Sequence, residues 1–315
     1  MIKTRICDLL GIEYPIFQGG MAWIADGKLA AAVSEAGGLG IISAMNADSE
    51  YIRNEIKIAR SLTKKPFGVN VMLLSPFADE VAAALAEEKV PVITTGAGNP
   101  SKYMKMWNEA GIKVIPVVPS VGMTKLVTRA GAAAVIAEGG ESGGHIGELT
   151  TMVLVPQVCD ATHLPVIAAG GIADGRGVAA SFLLGAEGVQ LGTRFLSATE
   201  CSVHPVYKEK IIKAGDLSTT TTGKRLGHPV RSLRTTFTRE IAKHEFSSEI
   251  SDEELEQMAV GALRLAAKEG DEKRGCFLAG QIAALVKKEQ PAAEIVREIF
   301  EEAELALKGA GKWVK

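Results

Sequence analysis

The chain has 315 residues, of which 47% are hydrophobic, only 5% are aromatic and 34 are glycine. Its 35 basic and 37 acidic residues leave a formal charge of −2, which excludes a global polyelectrolyte partner such as nucleic acid or an extended basic membrane-binding face. No run approaches the roughly 18–20 apolar residues of a membrane span, and MIKTRICDLLGIEYP lacks the apolar core of a signal peptide. Cys7, Cys159, Cys201 and Cys276 are scattered without a CxxC pair, which points to reduced thiols of a cytoplasmic protein rather than a disulfide frame or a zinc site.

From the N-terminus to about residue 200, short apolar runs alternate with amphipathic stretches. The predicted strands are YPIF (14–17), LGII (39–42), FGVNVML (67–73), PVITT (91–95), KVIPVVP (113–119), AAAVIAE (132–138), LPVIAA (164–169) and GVQL (188–191). They are rich in Val and Ile without alternation, as strands buried on both faces should be. Helical patterns lie between them, among them DGKLAAAVSEAG and SEYIRNEIKIARSLT. Eight such units favour a closed (β/α)8 TIM barrel over an open doubly wound sheet. Glycine and polar residues gather just after the strands, in QGGMA (18–22), SAMN (43–46), TGAGNP (95–100), PSVG (119–122), EGGESGGHIG (138–147), AGGIADG (169–175) and LGTRF (191–195). In a barrel those ends meet at one rim, where a site forms.

Beyond residue 200 the rhythm is lost. The segment 216–240, DLSTTTTGKRLGHPVRSLRTTFTRE, reads as extended or loop structure, and helical patterns follow at 252–269, 273–288 and 291–308. Pro291 near a helix start makes the last of these the candidate closing helix of the barrel. The expected organisation is a barrel of residues 1–200 plus 291–315, with 201–290 as a smaller, mainly helical lid or substrate domain inserted before that helix.

Phosphate in barrels commonly rests on the loops after the last two strands, using backbone N–H groups and a helix N-terminus. Gly170, Gly171, Gly192 and Thr193 suit that task, and Gln190 stands beside them. A sugar phosphate, PLP and FMN are all compatible with this pattern. No dinucleotide fingerprint is present, so a nicotinamide would have to visit the barrel mouth itself. His145, framed by glycines at the rim, is the candidate acid, base or hydrogen-bond donor. Asn70 and Glu138 end the third and sixth strands and either read a heteroaromatic edge or serve the core. No metal-ligand spacing, GxSxG elbow or nucleophilic cysteine stands out.

The strings YPIFQGGMAW, GVNVMLLSPF, TTGAGNPSKY, IPVVPSV, EGGESGGHIG with TTMVLVPQV, PVIAAGGIADG and GTRF together resemble the FMN-dependent enoyl-acyl-carrier-protein reductase II family, over nearly the whole chain. Its parent superfamily, the nitronate monooxygenases, shares the barrel, the GGH histidine and the GGI and GTRF loops. The alternative is therefore a nitronate monooxygenase that oxidises alkyl nitronates with FMN and oxygen. The resemblance implies FMN held by Met21 and Ala22 against the ring, and by Asn70 and Glu138 at its edge or ribityl chain. Gly170, Gly171, Gln190, Gly192 and Thr193 would hold its tail, with Ser120 a further candidate. It also implies NAD(P)H as co-substrate, with NADH favoured, and a trans-2-enoyl thioester reduced in the last step of fatty acid elongation. His145 would polarise the thioester carbonyl or help to place a proton. Activation by a monovalent cation and a homodimer belong to the same implication, although the sequence identifies no cation ligands. The acyl carrier protein is acidic, so Lys224, Arg225, Arg231, Arg234 and Arg239 are its candidate docking residues.

Overall fold

The structure is a computed structural model and describes residues 2–45 and 47–314; Asn46 of the SAMN cluster falls outside them. The strands of the first two hundred residues are β1 (Ile16–Gln18), β2 (Leu39–Ser43), β3 (Gly68–Met72), β4 (Val92–Gly96), β5 (Lys113–Val118), β6 (Val135–Glu138), β7 (Gly144–His145), β8 (Val166–Ala169) and β9 (Gly188–Leu191). All but the short β7 form a closed parallel barrel in the order β1-β2-β3-β4-β5-β6-β8-β9, and β9 returns to β1 with Gln190 opposite Phe17. This is the (β/α)8 architecture. The strands are apolar on both faces because one face fills the barrel and the other meets the helices. Phe17, Leu39, Ile41, Ile115, Ile136 and Ile167 form one buried cluster, and a second contains Ile42, Val69, Ile93, Val114, Val135 and Val189.

The first strand lies slightly later than its apolar run suggests, because it includes the fully buried Gln18. Its side chain substitutes for a strand partner: Nε2 donates to the carbonyl of Ile41 at 3.2 Å, and Oε1 accepts from the amide of Ile41 at 3.2 Å. A polar residue satisfied this way can occupy a barrel core without an unpaired group.

The helix Ala292–Gly309 packs against the helices Gly175–Leu183 and Gly27–Glu35, the place of the helix that follows the last barrel strand. Residues 201–290 differ in detail from their sequence pattern. The Thr-rich stretch forms a hairpin of β10 (Thr219–Thr222) and β11 (Val230–Leu233), followed by the helix Thr236–Glu245. The pattern at 252–269 breaks after Asp252–Ala259, where Gly261 takes a left-handed φ of 74°. The helix expected over 273–288 does not form. That stretch is irregular apart from a 3₁₀ turn at Gln281–Leu285. Here tertiary contact overrides helical periodicity. A Cβ on Gly143 would come within 2.7 Å of both the Ala279 carbonyl carbon and the Gly280 nitrogen, so the strap lies directly on the loop after β6. Among the described residues, no helix is long and apolar enough to cross a membrane.

Candidate active site

A cleft opens at the carboxyl ends of the barrel strands, and all eight strands, or the loops that follow them, contribute to its wall. Gly19, Gly20, Met21 and Ala22 follow β1, Met45 follows β2, Asn70 and Met72 belong to β3, and Gly96 and Ala97 end β4. The opposite wall is Glu138 to His145, then Ala169–Ile172 after β8 and Gln190–Thr193 after β9. The barrel therefore gathers His145, Met21, Ala22, Asn70, Glu138, Gly170, Gly171, Gln190, Gly192 and Thr193 around one space.

Ser120 is placed differently. It caps the helix Val121–Arg129, with Oγ accepting from the amide of Met123 at 3.3 Å, and it does not line the cleft. The sequence reading also missed Glu141, Ser142, Leu263, Leu278, Gly280 and Ile282, all of which do line it. The last four come from residues 263–282, 70 or more residues beyond Thr193 in sequence, and carry no local motif.

Several glycines of the wall are sterically required. A Cβ at Gly20 would lie 2.4 Å from Asn70 Cβ, so the loop after β1 can rest on Asn70 only without a side chain. Gly170 has a φ of 89°, and its Cβ would lie 2.7 Å from the Gly139 carbonyl oxygen. The Asn70 amide is oriented by Thr94, whose Oγ1 donates to Oδ1 at 2.9 Å, leaving Nδ2 available to a ligand. Thr193 Oγ1 accepts from the amide of Gly280 at 2.9 Å and keeps its own proton to donate.

The sequence pattern expects a helix N-terminus at the anion end, yet two of these are already occupied. Asp174 caps Gly175–Leu183, accepting from Arg176 and Gly177 amides at 3.0 and 3.4 Å. At the start of Thr151–Ala161, the Glu141 carboxylate accepts from the amide and hydroxyl of Thr151, each at 2.9 Å. The remaining start at this end is the short 3₁₀ turn Thr193–Ser197, preceded by Gly192.

Two of the titratable groups that line the cleft, Glu138 and His145, bear most directly on its chemistry. Burial pushes the Glu138 carboxyl up to about 7, opposed only by the nearby Ser142 hydroxyl. At neutral pH this carboxyl can both accept and donate a hydrogen bond. His145 is solvent-accessible at the mouth, but the surrounding wall and the neighbouring His228 hold it below the ordinary imidazole value. It is thus mainly neutral at pH 7. Its backbone is fixed by the β10–β11 hairpin: β7 pairs antiparallel with β11, Val230 opposite His145, and Arg231 donates to the Gly140 carbonyl from Nε and Nη2 at 3.2 and 2.9 Å.

A family model described as nitronate monooxygenase matches residues 3–88 and 76–302. The chain belongs to the nitronate monooxygenase family. Members of this family are FMN-dependent flavoenzymes, and the protein is an oxidoreductase. It is similar to the structure of FabK from Thermotoga maritima, with 53% identity, a TM-score of 0.97 and complete coverage of both chains. It also resembles nitroalkane oxidase from Streptomyces ansochromogenes, with 30% identity, a TM-score of 0.86 and coverage of 96% and 99%. A probable nitronate monooxygenase from Staphylococcus aureus strain MSSA476 is 34% identical, covering 95% of this chain and 96% of the relative. A (3aS,4S,5R,7aS)-5-hydroxy-7a-methyl-1-oxo-octahydro-1H-indene-4-carboxyl-CoA dehydrogenase of Rhodococcus jostii strain RHA1 is 38% identical over 234 residues, 74% of this chain but only 66% of the relative's length.

Proposed function

We propose that the protein is an FMN-dependent enoyl-acyl-carrier-protein reductase that uses NAD(P)H, with NADH favoured, to saturate trans-2-enoyl thioesters. The observation that carries this reading is the 53% identity to FabK, an enoyl-acyl-carrier-protein reductase II, over the whole of both chains. Similarity to the nitroalkane oxidase and the probable nitronate monooxygenase is lower, at 30% and 34%.

The cleft suits the cofactor. Gly19, Gly20 and Gly170 let the loops after β1 and β8 pack closely on Gln190, Asn70 and the Gly139 carbonyl, which shapes the cleft wall. Met21 and Ala22 offer apolar surface to a ring, Asn70 Nδ2 and Glu138 offer polar groups to its edge, and Thr193 with the amides after β8 and β9 suits an anion. FMN bound there would supply the hydride relay between the nicotinamide and the enoyl β-carbon. The protein's own task is then to hold the thioester and stabilise the charge that develops on its oxygen. A neutral His145 presents one N–H donor at the mouth, suited to that oxygen. A donor of this kind in a sheltered site costs no reorganisation during the reaction.

The test begins with the spectrum of purified protein. A flavin band near about 450 nm should bleach anaerobically with NADH and return on adding crotonyl thioester. A protein that consumes oxygen with an alkyl nitronate, needs no NADH and ignores the thioester would overturn the reading in favour of a monooxygenase. Failure to take up FMN on reconstitution would overturn the cofactor assignment.

The acyl carrier protein is proposed to dock beside the hairpin, but on fewer cations than the sequence offers. Arg231 is committed to Gly140 and Arg234 Nε donates to the Thr219 carbonyl at 3.0 Å. Arg225 pairs with Asp252 at 2.7 Å and donates to the carbonyls of Ser247 and Ile250. Lys224 and Arg239 are exposed, and their side chains have no polar partner among the described residues. Reversing both to Glu is expected to raise KM for an acyl-carrier substrate by about 3–10-fold at low salt, and to alter that for the matching CoA thioester by less than twofold. Equal effects on both substrates would remove this surface from docking.

A further inference from the structure

The two sides of the cleft differ in chemistry. Acceptors and donors gather on the wall from β6, β8 and β9, whereas the wall that continues from β3 presents Met72, Gly96 and Ala97, with Met45 at the end of the neighbouring β2. Gly96 is the unusual member. It is the register partner of Met72 in the β3–β4 ladder, so a side chain there would emerge on the same face as Met72, into the cleft. A Cβ at Gly96 meets nothing within 4 Å, and its φ lies outside the left-handed range. Neither steric crowding nor backbone conformation accounts for glycine at this place, unlike Gly20 or Gly170. What its missing side chain provides is open space beside two methionines.

Two neighbouring features point to a ligand in that space. Ala97, the next residue, is one of three non-glycine residues with positive φ among the described residues, at 55°, a strained conformation held at the cleft wall. The loop that leaves β3 directly after Met72 carries large apolar side chains into solvent, with Leu74 64% and Phe77 39% exposed. Apolar side chains thus flank Met72 on both sides, in the cleft interior and on the outer loop that follows β3. Methionine suits such a surface, because its unbranched side chain repacks around alkyl groups of different length.

We propose that this arm of the cleft is the bed of the substrate's acyl chain, and that the absent side chain at Gly96 sets how long a chain is admitted. The assignment rests on the enoyl-thioester reading of the site and extends it to a residue that selects among substrates. Short chains such as crotonyl end before reaching Gly96, whereas medium and long chains lie across it.

The test uses the flavin-loaded enzyme with Gly96→Ala, Gly96→Val and Gly96→Leu. For each, kcat/KM is measured on crotonyl and dodecenoyl thioesters, alongside flavin content and thermal stability. The ratio of the long-chain to the short-chain value is expected to fall progressively along the series, by at least about tenfold for Gly96→Leu, as filling a hydrophobic pocket by a few methylene volumes should do. An equal loss on both chain lengths would overturn the proposal, as would loss of flavin, which would give the space to the cofactor. Wild-type enzyme inert to thioesters of both lengths would instead overturn the reductase reading itself. Wild-type turnover with an unaltered ratio in all three variants would leave that reading standing and place the chain elsewhere.

Discussion

Replacing His145 with alanine is expected to lower kcat for enoyl-thioester reduction by about 10²–10³-fold while the flavin stays bound and the melting temperature changes little. The structural arm of this expectation follows from how the residue is held. Its position comes from the backbone pairing of β7 with β11, not from its ring, which makes no hydrogen bond to another described residue. Truncation at Cβ therefore leaves the loop anchored by Val230 and by the Arg231 contact to Gly140. The chemical arm follows from charge. Desolvation, with His228 close by, keeps the imidazole below its ordinary 6.5, so it is neutral at pH 7 and offers an N–H to the thioester oxygen. Lowering the pH through that depressed value protonates the ring, which still donates. Wild-type kcat should therefore hold or rise on acidification toward pH 6, and the rise should be absent from His145→Ala. A histidine serving as general base on the α-proton of a neutral nitroalkane would behave oppositely, because protonation removes its acceptor and rate would fall on the acid side. Stopped-flow measurement of the oxidative half-reaction between pH 5.5 and 8 separates the two. An unaltered kcat in the alanine variant would take His145 out of the chemistry altogether.

Legibility in the sequence followed the range of the interactions. The barrel strands were readable because burial on both faces leaves an uninterrupted Val and Ile run, and GVQL was bounded as Gly188–Leu191 by its flanking glycine and turn. The rim was readable because doubled glycines mark backbone that must approach a ligand or another loop. Gln18 in β1 was not, since a buried amide that mimics a strand partner has no apolar signature. Nor was β7: Gly144–His145 is a strand only because β11 arrives from more than eighty residues away to pair with it. The apolar positions around Phe277, Ile282 and Val286 suggested a helix, yet they bury as a strap whose path is dictated by Gly143 and Thr193 beneath it. The same strap delivers Leu278, Gly280 and Ile282 to the cleft, so the fold error and the missed site residues share one cause. The cationic hairpin shows the converse limit. Charge is visible in sequence, but whether an arginine faces solvent or a carbonyl is decided by packing, and Arg231 and Arg234 are engaged with carbonyls.

Gly40→Ala is expected to be among the most damaging single-methyl changes in the protein, although Gly40 lies away from the cleft lining. It sits in β2 beneath the helix Gly27–Glu35, and a Cβ built there would lie 1.9 Å from the Ala30 carbonyl oxygen and 2.5 Å from Ala30 C and Cα. These obstacles are backbone atoms of a helix, so no rotamer change can clear them. The helix itself must lift from the barrel, carrying Leu29, Ala30 and Val33, all fully buried. It would also strain the hydrogen bond from the Gly40 amide to Ser34 Oγ at 3.2 Å. Overpacking that shifts the backbone typically costs roughly 1–3 kcal/mol, and a helix forced off its strand belongs at or above the top of that range, against the roughly 5–15 kcal/mol that holds a domain folded. The melting temperature should drop by at least about 5 °C, or the protein should fail to accumulate in soluble form. Gly309→Ala provides the comparison, because its Cβ meets nothing within 4 Å at the end of the last helix. Both substitutions remove similar freedom from the unfolded chain, so that contribution cancels between them. Thermal unfolding followed by circular dichroism should leave the Gly309 variant within about 2 °C of wild type. If Gly40→Ala melts alongside it, the helix can slide on β2 at little cost, and the close approach of helix to strand is not what requires glycine there.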